Sequence, residues 1–158
     1  YLCASVVNLF SLFFARLCGE LNSSMSITFL KGGILTTLQD LGRNGARRFG
    51  VNPGGAMDAS VARLINILLG NDENEAVLEM HFPAPVLKFE SEMLFALGGA
   101  DFAARLNETA IENWRPLLAK KNDVLTFPAR KSGARIYLSA RGGFQTEKWL
   151  GSASANLK

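Results

Sequence analysis

Cysteine is scarce in this chain, with Cys3 and Cys18 the only two, and histidine occurs once, at position 81. Two cysteines within the first eighteen positions, with no histidine cluster nearby, indicate neither a zinc site nor a disulfide framework. A single histidine means that any Ser-His-Asp triad would have to use His81, and no serine sits in a nucleophile-elbow pattern. The phosphate loop G-x-x-x-x-G-K-[S/T] is missing, and no G-x-G-x-x-G opens a helix after a strand. The chain alone therefore offers no ATP or dinucleotide site of those kinds. The apolar run from Ala4 to Phe14 is broken by Asn8 and falls well short of the roughly 20 residues a membrane span needs. No basic segment precedes it, as a secretory signal would require. Charge of one sign is lacking too: 17 basic and 14 acidic residues leave +3, and the signs interleave. That excludes a nucleic-acid-binding stripe. Nothing calls for an oxidising compartment, so the cytoplasm is the default expectation.

What is present is a core. The chain has 158 residues, 48% of them apolar, enough for one domain or one domain with an appendage. Short apolar runs punctuated by Gly, Pro and Asn predict strands over Ile27–Leu30, Val77–Phe82, Val86–Phe89, Met93–Leu97, Ala103–Leu106, Val124–Phe127 and Arg135–Ala140. Strands at such spacing point to a mainly β barrel or sandwich. "LNETA" reads as a hairpin tip, and Asn122–Asp123 as a turn. One helix is expected, capped by Asp58 and stopped by Gly70. Val61, Leu64, Ile65, Leu68 and Leu69 form the stripe that closes it onto the sheet. On the strand from Val77, period two places Leu78, Met80 and Phe82 on one face and Val77, Glu79 and His81 on the other. Glu79 and His81 are thus a candidate acid/base pair. "LGGAD" and "RGGF" read as Gly turns at strand ends.

The densest signal is "QDLGRNGARRFGVNPGGAMD", residues 39 to 58, with five Gly and three Arg in twenty positions. So much backbone freedom predicts a shaped loop. Asp40 and Arg43, separated by Leu-Gly, lie close enough to share one side of it. Two roles stay open for them: an ion pair that braces the loop, or an anion-binding site built on the planar guanidinium. Gly54 and Gly55 leave backbone N–H groups free to form an oxyanion nest.

Five blocks, "TTLQDLGRNGARRFGVNPGGAMD", "ARLINILLGNDENEAVLE", "LGGAD", "YLSARGGF" and "LGSASA", follow one another in order. Together they resemble the biotin-dependent carboxyltransferase family, which takes in allophanate hydrolase subunit 2 and a subunit of 5-oxoprolinase. The signature Q-D-x-G-R-x-G and then G-V-x-x-x-G-A-M-D is matched by Gln39, Asp40, Gly42, Arg43, Gly45, Gly50, Val51, Gly55, Ala56, Met57 and Asp58. The resemblance covers residues 25 to 155. It implies a cyclophilin-like β-barrel with one packed helix, the first of two tandem barrels with the active cleft between them. On this expectation residues 1–24 are a non-family extension from upstream translation, and 156–158 begin the second half.

The resemblance implies a subunit of an ATP-dependent 5-oxoprolinase, opening the lactam of 5-oxoproline to glutamate together with partner subunits. Its alternatives are carboxyl transfer from carboxybiotin to urea, and non-enzymatic antagonism of a sporulation kinase inhibitor. ATP would be used by the complex, with no cofactor held by this chain alone; biotin enters in the carboxyltransferase alternative. The implied site takes Arg43 to hold a substrate carboxylate, with Asp40 orienting it and Asp58 assisting. Gly54, Gly55 and Glu79 complete it as substrate-binding residues. A bare interface between halves also predicts homo-oligomers.

Overall fold

Val77–His81 (β4 below) is buried along nearly its whole length, and its alternation organises the molecule. Leu78 and Met80 enter the main core, whereas Val77 packs in a second cluster against the helix, on the face that carries Glu79. The face assignment made from the sequence holds. The strand is buried on both sides because one face meets a sheet and the other a helix.

The computed structural model describes residues 14–17 and 25–155. In chain order the strands are β1 (Phe14–Leu17), β2 (Met25–Lys31) and β3 (Thr36–Gln39), then helix α1 (Ala59–Leu68). After it come β4 (Val77–His81), β5 (Val86–Phe89), β6 (Met93–Asp101), β7 (Arg105–Leu106), β8 (Thr109–Ala110), β9 (Pro116–Ala119), β10 (Val124–Thr126) and β11 (Ser132–Ala140). Two antiparallel sheets result, ordered β1-β2-β5-β10-β7-β8 and β3-β4-β11-β6-β9. Ile27, Leu87, Phe89 and Leu125 of the first sheet meet Met80, Phe95, Leu97, Ile136 and Leu138 of the second in one continuous core. The architecture is the mainly β, one-helix class expected, laid out as two facing ladders rather than one closed ring among the described residues. No helix among those residues is long and apolar enough to cross a membrane.

Within residues 1–24, Phe14–Leu17 pairs antiparallel with β2, Phe14 opposite Thr28 and Leu17 opposite Met25, adding an edge strand to the first sheet. The rest of that stretch, and residues 156–158, lie outside the described residues. The tip between β7 and β8 turns at Asn107 (φ 54°), and Asn122 (φ 71°) turns the chain into β10, both as expected. β3 and β9 had no sequence forecast. β3 is the polar run TTLQ at a sheet edge, and β9, the opposite edge, begins with proline, which both an edge strand and a first strand position tolerate.

Two expectations need correction. Gly98 and Gly99 lie inside β6, not in a turn at its end. The helix is also rotated from the forecast stripe: Val61, Ala62, Ile65 and Leu69 are buried, while Leu64 is 51% and Leu68 38% exposed. The reason is polar. Asn66, on the buried side, donates to Glu75 O at 2.8 Å and accepts from Ser139 Oγ at 2.6 Å, which fixes the rotation. Ile65→Ala should therefore cost about 2–4 kcal/mol in urea unfolding, and Leu64→Ala less than about 0.5 kcal/mol. Equal costs at the two positions would contradict this packing.

Candidate functional site

The glycine-rich loop folds back on itself through backbone bonds. Arg43 N donates to Pro53 O at 2.7 Å, and Ala56 N donates to Asp40 O at 2.8 Å. Gly55 sits where the two strands of the loop cross: its φ is +94°, and a Cβ there would lie 3.1 Å from Gly42 N. The Gly54 N–H is spent on Asn52 Oδ1 at 3.2 Å, and a Cβ at Gly54 would lie 3.0 Å from Arg43 Nη1. These glycines serve close approach of backbone to backbone and of backbone to Arg43.

Asp40 and Arg43 do not pair with each other. Asp40, 1% exposed, accepts from Gly42 N (2.7 Å), Ser152 Oγ (2.7 Å) and Ser154 Oγ (2.6 Å) on Oδ1, and from Ala153 N (2.6 Å) on Oδ2. Arg43, 4% exposed, donates from Nε to Trp149 O at 3.2 Å and from Nη2 to Ser154 O, and its guanidinium lies 4.8 Å from the centre of the Trp149 ring. Nη1 is buried without a hydrogen-bond partner. Of the two roles left open by the sequence, bracing is the one these contacts serve. The brace runs to the segment 149–154, however, and not between Asp40 and Arg43.

Asp58 and Glu79 lie elsewhere, at the entrance of α1. Asp58 caps the helix as expected, Oδ1 accepting from Ser60 N and Val61 N at 3.1 Å each. Its own N–H donates to the Tyr137 hydroxyl at 3.0 Å, and Met57 N donates to Glu79 Oε2 at 2.8 Å. β4 and β11 pair with Glu79 opposite Tyr137 and His81 opposite Arg135, so all four side chains share one face. Arg135 Nε donates to His81 Nε2 at 3.1 Å and lies 3.2 Å from Glu79 Oε1. Glu79 and His81 are 4.0 Å apart, both turned towards Arg135. Both members of the expected acid/base pair face one guanidinium, that of Arg135. Because His81 Nε2 accepts, a neutral ring carries its proton on Nδ1. Burial pushes the Tyr137 phenol well above its ordinary value; the Asp58 N–H opposes this, and the Glu79 charge adds to it. Tyr137 thus keeps its proton at neutral pH.

A cleft of about 510 Å³ opens here, lined in part by Met57, Asp58, Gly99, Gly133, Arg135 and Tyr137. It lies where β11 carries a bulge: Ser132 pairs with Asp101 and Ile136 with Gly99, so three residues of β11 face one of β6. Arg135 reaches the cleft from its place opposite His81, on the face it shares with Tyr137. A second groove of about 660 Å³, around Glu75, Phe144 and Lys148, contains none of the expected site residues. Sequence reasoning missed Arg135 and Tyr137. Their signal was the polar alternation of Arg135, Tyr137 and Ser139 against Ile136 and Leu138, the pattern that had placed Glu79 and His81.

Comparison with known proteins agrees with the fold. Residues 49–158 match the family model described as carboxyltransferase domain, subdomain A and B. The chain is 38% identical over 133 residues to a 5-oxoprolinase subunit of Escherichia coli, covering 84% of this chain and 43% of that protein. It is 37% identical over 123 residues to urea amidolyase of Lachancea kluyveri, covering 77% of this chain and 7% of that one. The crystal structure of K. lactis urea amidolyase superposes with a TM-score of 0.78 at 33% identity, over 92% of this chain and 8% of that one. The chain belongs to the carboxyltransferase-domain family. It spans less than half the length of these curated relatives.

Proposed function

We propose that this chain forms one wall of the substrate cleft in a 5-oxoprolinase, as the counterpart of the related Escherichia coli subunit. In that reading it acts with partner subunits that use ATP to open the lactam of 5-oxoproline to glutamate. The observation that carries the reading is the cleft at the entrance of α1, where Asp58, Tyr137 and Arg135 converge over buried Glu79. The identity to a 5-oxoprolinase subunit over 84% of the chain supports it. Lactam opening develops charge on an amide oxygen, which preorganised donors stabilise. The Tyr137 hydroxyl, which keeps its proton, is such a donor. Asp58, with Oδ1 committed to two helix amides, offers Oδ2 to a substrate N–H. Asp40, Arg43, Gly54 and Gly55 hold the loop that presents Met57 and Asp58 and act at one remove from the substrate.

A second reading is carboxyl transfer from carboxybiotin to urea, supported by the likeness to the urea amidolyases. The test is reconstitution. The chain combined with the remaining 5-oxoprolinase subunits should release glutamate from 5-oxoproline only when ATP is present. No glutamate, together with biotin-dependent carboxylation of urea, would transfer the assignment to the second reading.

A further inference from the structure

The hydrogen bond and the ion pair that hold the Arg135 head use the same nitrogen. Nε faces His81 Nε2 at 3.1 Å and Glu79 Oε1 at 3.2 Å, while Nη1 and Nη2 form no hydrogen bond among the described residues. Glu79 is itself fixed from behind, by the Met57 N–H at 2.8 Å and by strand pairing opposite Tyr137. The guanidinium plane is thereby held at one edge, and its opposite edge, with two parallel N–H donors, is left free. That geometry matches a planar acceptor with two oxygens.

The surroundings suit such a ligand. Gly99 and Gly133 contribute no side chains to the cleft, and neither tolerates one: a Cβ at Gly99 would lie 2.6 Å from Arg135 O, and one at Gly133 2.7 Å from the Ala100 Cβ. The α1 entrance, by contrast, is not available to an anion. Asp58 accepts from Ser60 N and Val61 N, and the Met57 and Asp58 amides bind Glu79 and Tyr137. Two acidic groups, Asp58 and Glu79, lie beside Arg135, and Lys131 is occupied by Asp101 at 3.7 Å. Arg135 is therefore the cation of this cleft with donors to spare, and the flanking carboxylates restrict any anion to its outer edge.

We propose that the Nη1–Nη2 edge of Arg135 binds a substrate carboxylate and so sets specificity for a carboxylate-bearing lactam over a neutral amide or urea. Glu79 and His81 are positioning residues that aim it. This rests on the 5-oxoprolinase reading for the identity of the ligand, though not for the existence of the carboxylate site.

The experiment measures binding of three probes to the full chain: 5-oxoproline; 2-pyrrolidinone, which lacks the carboxylate; and cyclopentanecarboxylate, which lacks the lactam. The native protein should prefer both carboxylates to 2-pyrrolidinone by about tenfold or more, as loss of one charge-assisted pair implies. Arg135→Gln should erase that preference while leaving 2-pyrrolidinone binding unchanged. Arg135→Lys should recover only part of it, because an ammonium is a point charge without the fork. A native protein with no preference for carboxylates overturns the proposal. So does an Arg135→Gln variant that keeps the preference, or one that weakens all three probes alike, since the last is what a merely structural role would give. Failure of the functional reading looks different: the reconstituted complex leaves 5-oxoproline intact while the Arg135-dependent preference persists.

Discussion

Asp40→Ala should lower the stability of the chain by about 3–5 kcal/mol, read as a shift of the urea midpoint at neutral pH. The substitution removes a carboxylate that satisfies four donors at once: two hydroxyls and the backbone amides of Gly42 and Ala153. Ser152 and Ser154 are themselves buried, so the abandoned donors have little access to water. Each donor left unsatisfied costs roughly 1–3 kcal/mol. Asp40→Asn should recover little, because an amide NH₂ in place of Oδ2 would face the Ala153 N–H donor to donor. A loss below about 1 kcal/mol would show that the segment 149–154 relaxes to reach solvent.

The same carboxylate predicts an acid transition. Burial pushes the Asp40 carboxyl up, but hydrogen bonds from Ser154, Ser152, Gly42 and Ala153 outweigh it and hold the group below its ordinary range. A depressed value means that the folded state favours the ionised form. Its stabilisation is fully present above the unfolded value of about 4 and is lost as pH falls through the lower folded value. The Asp40→Asn variant should lack this component of the pH dependence, so its stability should fall less steeply than the native protein's below pH ~4.

Gly99→Ala should cost roughly 2–4 kcal/mol and disturb the cleft as well as the fold. Gly99 has φ +91° within the second sheet, and a Cβ would lie 2.6 Å from the Arg135 carbonyl oxygen and 3.1 Å from the Tyr137 ring. Neither neighbour is the free end of a flexible chain. Gly151→Ala is the matched control: φ is +78°, but a Cβ there meets nothing within 4 Å. It carries only the conformational strain, about 1 kcal/mol. Thermal melts that place the two variants together would remove the crowding at Gly99 from the account.

Local features were legible in the sequence. Asp58 as a cap, the Asn107 tip and the two faces of β4 each depend on residues a few positions apart, where periodicity and turn chemistry act directly. The helix stripe failed by one step. Leu64 and Leu68 are as apolar as Ile65, and only the Asn66 bonds to Glu75 and Ser139 reveal which way α1 is turned. Gly98–Gly99 misled for a related reason: a glycine pair signals freedom, but here it serves close approach inside a strand, where a Cβ at Gly98 would lie 2.6 Å from the Ile65 side chain and one at Gly99 2.6 Å from Arg135 O. In the candidate site, the Asp40–Arg43 spacing suggested a partner three residues away. The actual partners of Asp40, Ser152 to Ser154, lie far along the chain in the block "LGSASA". Serines carry no charge to advertise such a role. Arg135 and Tyr137 were within reach, since β11 shows the same alternation that placed Glu79 and His81 correctly.

The tie between Asp40 and Ser154 spans 114 positions, and beside it Ala155 N donates to Leu38 O at 2.9 Å. During synthesis the acidic residue emerges early, while the groups that make its burial tolerable are the last of the described chain to appear. Until then an unpartnered carboxylate resists entering the interior. The glycine loop and the edge of the second sheet should therefore complete their docking late, after the rest of the core has gathered. Pulsed hydrogen exchange during refolding should show the amides of Gly42 and Ala153 becoming protected together, and after those of β6 and β11.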